Sequence, residues 1–296
     1  MIVLGDVIFM DGIVIIDKPK GCTSRDVVNM VGKKLHTKRV GHTGTLDPMA
    51  TGVLVVCVNE GLKIASFLSS DSKIYEVEAT CGLLTDTLDI EGKVLKEDHN
   101  FVLERSKVEE VLLSFLGEYL QEVPLYSAVK VNGRRLYDYA RNNENVELPK
   151  RMVSILDIKL KEVKEDKFTF RVHVSKGTYI RSLVKDIGEK LGILCTMSNL
   201  RRVEQGMFSI NESILIDDVS EESLLSLNYA LREYKFVEVD DYIASKIKNG
   251  RILENRYKDD IIVFVNNDEE VLAIYGIYDK DNTKIKPYHV FSNHLG

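Results

Sequence analysis

No run of apolar residues approaches the roughly 18 needed to cross a bilayer as a helix. The longest, such as Ile13 to Ile16 and Val53 to Val58, hold a handful of residues, so no membrane partner is expected. The N-terminus, Met1-Ile2-Val3-Leu4-Gly5-Asp6, lacks a basic n-region and is interrupted by Asp6 and Asp11; it does not read as a signal peptide. The four cysteines, Cys22, Cys57, Cys81 and Cys195, form no CxxC pair. That spacing speaks against a disulfide framework and against a thiolate zinc site, and a cytoplasmic location is expected. No internal repeat is evident. With 44% hydrophobic and 29% charged residues, the chain is neither disordered nor collagen-like. Its length predicts about two domains.

The net charge of −6, taken alone, counts against a nucleic-acid partner. The local pattern differs. Lys18 to Arg39 carries seven Lys/Arg against one acid, and Pro124 to Arg151 carries six bases against three acids. Val203 to Lys235 has seven acids against two bases. Such asymmetry allows one basic face on an acidic body, although solvated surface elements would show the same counts.

The hydrophobic periodicity mixes two periods. Gly12 to Ile16 and Val53 to Val58 read as buried strands. Tyr75, Val77 and Ala79, and later Phe168, Phe170, Val172 and Val174, alternate as on half-buried strands. Val27, Val28, Val31 and Leu35 mark one face of a helix reaching about His36, with Ser24 as its N-cap. Val108, Val111, Leu112 and Phe115, and Ile180, Leu183, Val184, Ile187 and Leu191, form further helical stripes. Strands separated by helices without regular βα alternation predict an α+β fold. Leu125 to Lys150 is basic, polar and short of core residues; it reads as a mobile excursion with a turn at Asn132-Gly133. From about Phe236 a helix over Asp241 to Asn249, closed by Gly250, precedes strands at Ile261 to Val265 and Val271 to Tyr278. This predicts a compact C-terminal β unit.

The segment Gly41-His42-Thr43-Gly44-Thr45-Leu46-Asp47-Pro48-Met49-Ala50-Thr51-Gly52 leads directly into a buried strand. Its three glycines permit close backbone approaches, and Pro48 keeps Asp47 out of the α region. By composition alone, an aspartate in such a loop caps a helix or closes a turn.

This segment resembles the signature of the bacterial TruB family of tRNA pseudouridine-55 synthases. Other stretches follow in family order. Asp11 to Gly21 resembles the N-terminal motif, and Lys73-Ile74-Tyr75-Glu76-Val77 with Gly82 to Gly92 resembles the second. Pro124-Leu125-Tyr126-Ser127-Ala128-Val129-Lys130 is similar to P-x-Y-S-A-x-K. Ser175 to Leu183 is similar to S-K-G-T-Y-I-R. Leu200-Arg201-Arg202 matches an L-R-R element, although Val203 departs from the threonine that usually follows it.

The resemblance implies a pseudouridine synthase core with a mixed, largely antiparallel sheet flanked by helices and loops, plus a small C-terminal PUA-like β domain. Its implied divisions are an N-terminal extension at 1–10, a catalytic domain at 11–235 with an RNA-clasping insertion at about 124–151, and an RNA-binding domain at 236–296. Met10 would be a natural initiator. The implied reaction detaches uracil from N1, rotates it and rejoins it through C5, which calls for no metal and no organic cofactor. The resemblance makes Asp47 the nucleophile, Arg181 its partner and Tyr75 the base-stacking residue. His42 and Tyr179 are implied contacts of the RNA and the active site, Leu200 a pocket wall, and Lys18 a support for the loop or a phosphate. Arg134, Arg135 and Arg141 are implied contacts of the tRNA T arm. A monomer without obligatory protein partners is the expected state. The competing readings are a tRNA-folding chaperone without catalysis, a guide-RNA-dependent synthase, and a glycosidase, which would normally pair two carboxylates. Asp17 and Asp89 also fall in family motifs, but sequence alone puts neither beside Asp47.

Overall fold

The computed structural model describes residues 11–68 and 72–291. The expected extension at 1–10 lies outside them. The fold is the α+β arrangement anticipated from the sequence. Seven strands form the path of the main sheet, in the order Gly12–Lys18, Thr51–Val58, Cys195–Gln205, Ser72–Cys81, Lys167–Ser175, Lys150–Val163 and Gly117–Glu122. Val40–His42 and Phe208–Ser209 pair onto it from the side. Along this path every neighbouring pair is antiparallel except one. The exception joins Arg201 and Arg202 to Thr51 and Gly52 in parallel, immediately after the loop that carries Asp47. Gly52 has φ +102°, and a Cβ there would stand 2.1 Å from the Arg202 carbonyl oxygen. Only glycine permits this close crossing.

The two kinds of apolar pattern follow from burial. Strands Gly12–Lys18 and Thr51–Val58 are covered on both faces. Val14, Ile16, Leu54 and Val56 pack against helix Ser24–Lys34 through Val27, Val28 and Val31. Ile13, Ile15, Val53 and Val55 pack against Val263, Val265, Val271 and Ile274 of the C-terminal sheet. Both strands therefore read as unbroken apolar runs. Strand Lys167–Ser175 buries only alternate residues, Phe168, Phe170, Val172 and Val174, against helices Arg105–Leu113 and Ile180–Leu191.

Helix Ser24–Lys34 is capped by Thr23, not by Ser24 as expected. Thr23 Oγ1 accepts from the Asp26 N–H, and the Asp26 carboxylate accepts from the Thr23 N–H, forming a capping box. The choice is made by a long-range competitor, since the Ser24 hydroxyl is engaged by Leu46.

Residues 124–151 fold as a two-residue hairpin, Lys130–Val131 with Arg134–Arg135, followed by helix Leu136–Arg141. Asn132 and Gly133 at its tip have φ +52° and +81°, the left-handed pair that such a turn requires. The segment is short of core residues, as expected, and those it has, Leu136, Tyr139 and Ala140, lie together on the helix.

The second sheet has the order Lys235–Glu238, Ile261–Val265, Val271–Tyr278, Asp281–Val290 and Leu253–Glu254. Helix Asp241–Lys248 packs on it through Ala244 and Ile247, against Phe264, Leu272 and Tyr275. Among the described residues, no helix is long and apolar enough to cross a membrane.

Candidate active site

The loop between Val40–His42 and Thr51–Val58 is held by side chains rather than by a ladder. Lys18 is fully buried, and its ammonium donates to the carbonyls of Pro19 (2.9 Å), Cys22 (2.7 Å) and Pro48 (3.2 Å). Burial lowers its pKa, and the nearby acids Cys22 and Asp47 oppose that shift. Of the two roles expected for Lys18, support of the loop or of a phosphate, these contacts fit the first: its ammonium ties Pro48 of the loop to the turn at Pro19 and Cys22. Arg202 is also fully buried and donates to the carbonyls of Val53 (2.7 Å), Gly44 (3.0 Å) and Thr45 (3.4 Å). Burial pulls its pKa down, and the phenol of Tyr75, its cross-strand partner, opposes that shift.

Asp47 projects from this loop with its side chain about one-third exposed, and its Oδ2 lies 3.0 Å from Nε of Arg181. Arg181 stands in the first turn of helix Ile180–Leu191 and is buried. Every edge of its guanidinium is used. Nη1 donates to the Thr87 carbonyl at 2.9 Å and lies 3.7 Å from Asp89 Oδ2, and Nη2 donates to the Tyr126 carbonyl at 3.0 Å. One cation thus ties the Asp47 loop, the 87–89 turn and the start of the insertion. A guanidinium so placed fixes the direction in which the Asp47 carboxylate points.

The pair opens into a cleft of about 560 Å³ lined by Asp47, Asp89, Arg181, Leu46 and Leu200, and by tyrosines 75, 126, 137 and 179. Tyr75 is buried on strand Ser72–Cys81, and Leu200 is buried on strand Cys195–Gln205. Tyr179 is the N-cap residue of the Arg181 helix. Its backbone is gripped by the fully buried Gln121, whose carboxamide accepts from the Tyr179 N–H (2.8 Å) and donates to its carbonyl (3.1 Å). The Arg151 guanidinium lies over its ring, 5.3 Å from the centroid. A mostly apolar cleft with aromatic walls and a carboxylate, Asp47, held at Arg181 can hold a planar ring beside a carboxylate.

The other expected contacts lie farther out. Arg135 is exposed and lines the cleft from the insertion. Arg134 pairs with Glu144 at 2.8 Å and lies over Tyr139, and Arg141 lies over Tyr137. His42 sits half-buried on its short strand and is not a lining residue of the cleft. Burial lowers its pKa, followed by the charges of Arg25 and Arg202. Asp17 binds Arg201 through both oxygens, at 3.1 and 2.7 Å, away from Asp47. Asp89, which the sequence could not place, is the carboxylate that shares Arg181 with Asp47. Gln121, Tyr126 and Tyr137 were not singled out from the sequence. Tyr126 stands within a family-like motif, whereas nothing local marks the other two. Among the described residues, no cluster of three or more His, Cys, Asp or Glu side chains is arranged to hold a metal ion.

Comparison with known proteins gives consistent matches. Residues 32–180 match the family model described as TruB family pseudouridylate synthase, N-terminal domain. Residues 181–243 match the model of the tRNA pseudouridylate synthase B C-terminal domain. The tRNA pseudouridine synthase B of Bacillus cytotoxicus is 42% identical over 302 residues, covering 96% of this chain and 98% of that protein. The protein of the same name from Mesoplasma florum is 37% identical over 267 residues, covering 89% and 93%. Among solved structures, an H/ACA RNP bound to a substrate RNA containing 2'-deoxyuridine superposes with a TM-score of 0.72 at 22% identity. It covers 97% of this chain and 87% of that one, a likeness of fold.

Proposed function

The chain belongs to the TruB family of pseudouridylate synthases, and from that premise we propose that it isomerises uridine-55 to pseudouridine in the T loop of tRNA. The observation that carries the reading is the Asp47 carboxylate, 3.0 Å from a buried guanidinium at the floor of a tyrosine-lined cleft. The tRNA substrate is supported by relatives named for it that match almost end to end.

The chemistry follows from what each side chain can do. The target uracil is stacked within the folded T loop and is flipped out at a cost of a few kcal/mol. Stacking on Tyr75 repays roughly 1–3 kcal/mol. Leu200 and Tyr179 supply further apolar and aromatic lining of the pocket. Asp47, oriented by Arg181, acts as the nucleophile: it forms a covalent bond as the N1 glycosidic bond breaks, the uracil rotates and joins the ribose through C5, and the bond to Asp47 breaks again to free the carboxylate. The C5 proton moves to N1, so nothing is oxidised and no group is imported. The reaction therefore needs neither metal nor organic cofactor.

Arg135, which lines the cleft, and Arg134 and Arg141 of the same insertion meet the phosphates of the T arm as the 124–151 insertion closes on it. The C-terminal unit from 236 adds an RNA-binding surface, and His42 contacts the RNA loop. A monomer in the cytoplasm completes the reading.

The test is pseudouridine mapping at single-nucleotide resolution on unmodified tRNA, in parallel with Asp47→Ala. One new pseudouridine in the T loop, lost in the variant, is the expected result. Tight, salt-sensitive tRNA binding without product would favour a folding chaperone instead.

A further inference from the structure

Ser24 has the residue type and position of a helix cap, yet Thr23 performs the capping. Its hydroxyl is buried and engages another segment: Oγ accepts from the Leu46 N–H at 2.8 Å and donates to the Leu46 carbonyl at 3.0 Å. Leu46 is the chain neighbour of Asp47. On the far side, the Pro48 carbonyl accepts from the Gly21 N–H at 2.8 Å and from Lys18 at 3.2 Å. The residues on either side of Asp47, Leu46 and Pro48, are therefore both tied through their backbones to the segment 18–24. Upstream, the Thr45 carbonyl has the longer 3.4 Å contact from Arg202.

We propose that Ser24 is a positioning residue for the reaction: it fixes the Leu46 peptide and so keeps the Asp47 carboxylate against Arg181. The inference rests on Asp47 being the acting group. Asp47 is partly exposed and belongs to no strand or helix, so its aim depends on these backbone anchors. A displacement of about 1 Å at a reacting group can cost on the order of 100-fold in rate. Deleting one hydroxyl frees both the Leu46 N–H and its carbonyl, which are free to seek other partners and carry Asp47 with them.

Single-turnover rates and tRNA affinity are measured for Ser24→Ala, Ser24→Thr and Asp47→Ala, well below each melting temperature. Ser24→Ala is expected to slow the chemical step 10- to 100-fold with the Kd for tRNA within threefold. Ser24→Thr, which keeps the hydroxyl, is expected to recover the rate to within threefold of wild type. A role confined to folding predicts instead a lowered melting temperature with an unchanged rate, and that result overturns the proposal. A loss of affinity equal to the loss of rate overturns it as well. If Ser24→Ala does not fold, Ser24→Cys replaces it, with a rate at least threefold below wild type expected and a wild-type rate overturning the proposal. Asp47→Ala separates the two levels. If it retains full activity, the catalytic reading itself fails. If it is inactive while Ser24→Ala reacts at the wild-type rate, only the role of Ser24 fails.

Discussion

Nε of Arg181 lies 3.0 Å from Oδ2 of Asp47, with the arginine buried and the carboxylate open to the cleft. The asymmetry suits the role proposed for Asp47: its partner is fixed by protein carbonyls at both terminal nitrogens, while the carboxylate stays accessible from the cleft. Lysine cannot reproduce this arrangement, because a point charge cannot also hold the carbonyls of Thr87 and Tyr126. Arg181→Lys is expected to lower the single-turnover rate by on the order of 100- to 1000-fold, with tRNA affinity changed far less. Equal losses in rate and affinity would count against the assignment.

Asp89 holds Arg181 from the side opposite Asp47 and is itself fixed by the Thr87 hydroxyl at 2.7 Å. Asp89→Asn keeps the shape and removes the charge. A rate loss of about tenfold is expected, smaller than for Arg181→Lys, because the contact is longer and Thr87 and Tyr126 still orient the guanidinium. A variant as inactive as Asp47→Ala would give Asp89 a larger role than its geometry indicates.

Gln121 satisfies both the N–H and the carbonyl of Tyr179 from a fully buried position. Gln121→Leu leaves two backbone groups unpaired, and a loss of about 2–4 kcal/mol in unfolding free energy is expected. Urea denaturation should show a lower midpoint with an unchanged slope.

Asp186, midway along the Arg181 helix, has its pKa raised to about 6, chiefly by burial; Lys185 opposes the shift. The folded state thus binds this proton more tightly than the unfolded chain. Its contribution favours the fold below the ordinary carboxylate range and is lost as pH rises from about 4 to 6. Asp186→Asn is expected to stabilise the protein at pH 7 by about 1 kcal/mol, since partial exposure screens the effect. The gain should vanish near pH 4. Thermal melts of both proteins across this range measure the difference, and a constant difference at all pH values would exclude the titration.

Arg135 is the arginine of the insertion that lines the cleft. Arg135→Ala is expected to weaken tRNA binding and to reduce the slope of log Kd against log salt by about one, as for a lost phosphate contact. The rate at saturating tRNA should stay within threefold. A variant with an unchanged slope would place the phosphate contacts elsewhere.

Local patterns in the sequence marked several elements and the loop that carries Asp47, but not the strands Gly117–Glu122, Lys150–Val163 and Cys195–Gln205, whose polar and charged residues break the alternation. The alternation from Phe168 to Val174 and the unbroken run from Val53 to Val58 each report how many faces of a strand are covered, a property written in period and composition. The left-handed pair Asn132-Gly133 is likewise a local necessity. The partnerships were not legible. Asp89 meets Arg181 across 92 positions because the turn between strands Leu83–Thr85 and Val94–Glu97 meets the first turn of helix Ile180–Leu191. Ser24 lost its capping role to Thr23 because Leu46 engages its hydroxyl, and Lys18 turned inward because three carbonyls converge on its ammonium. Residue type decides what a side chain can donate or accept. Which partner it meets is decided by sheet register and by the burial that removes water as a competitor, and both exist only once the chain has folded.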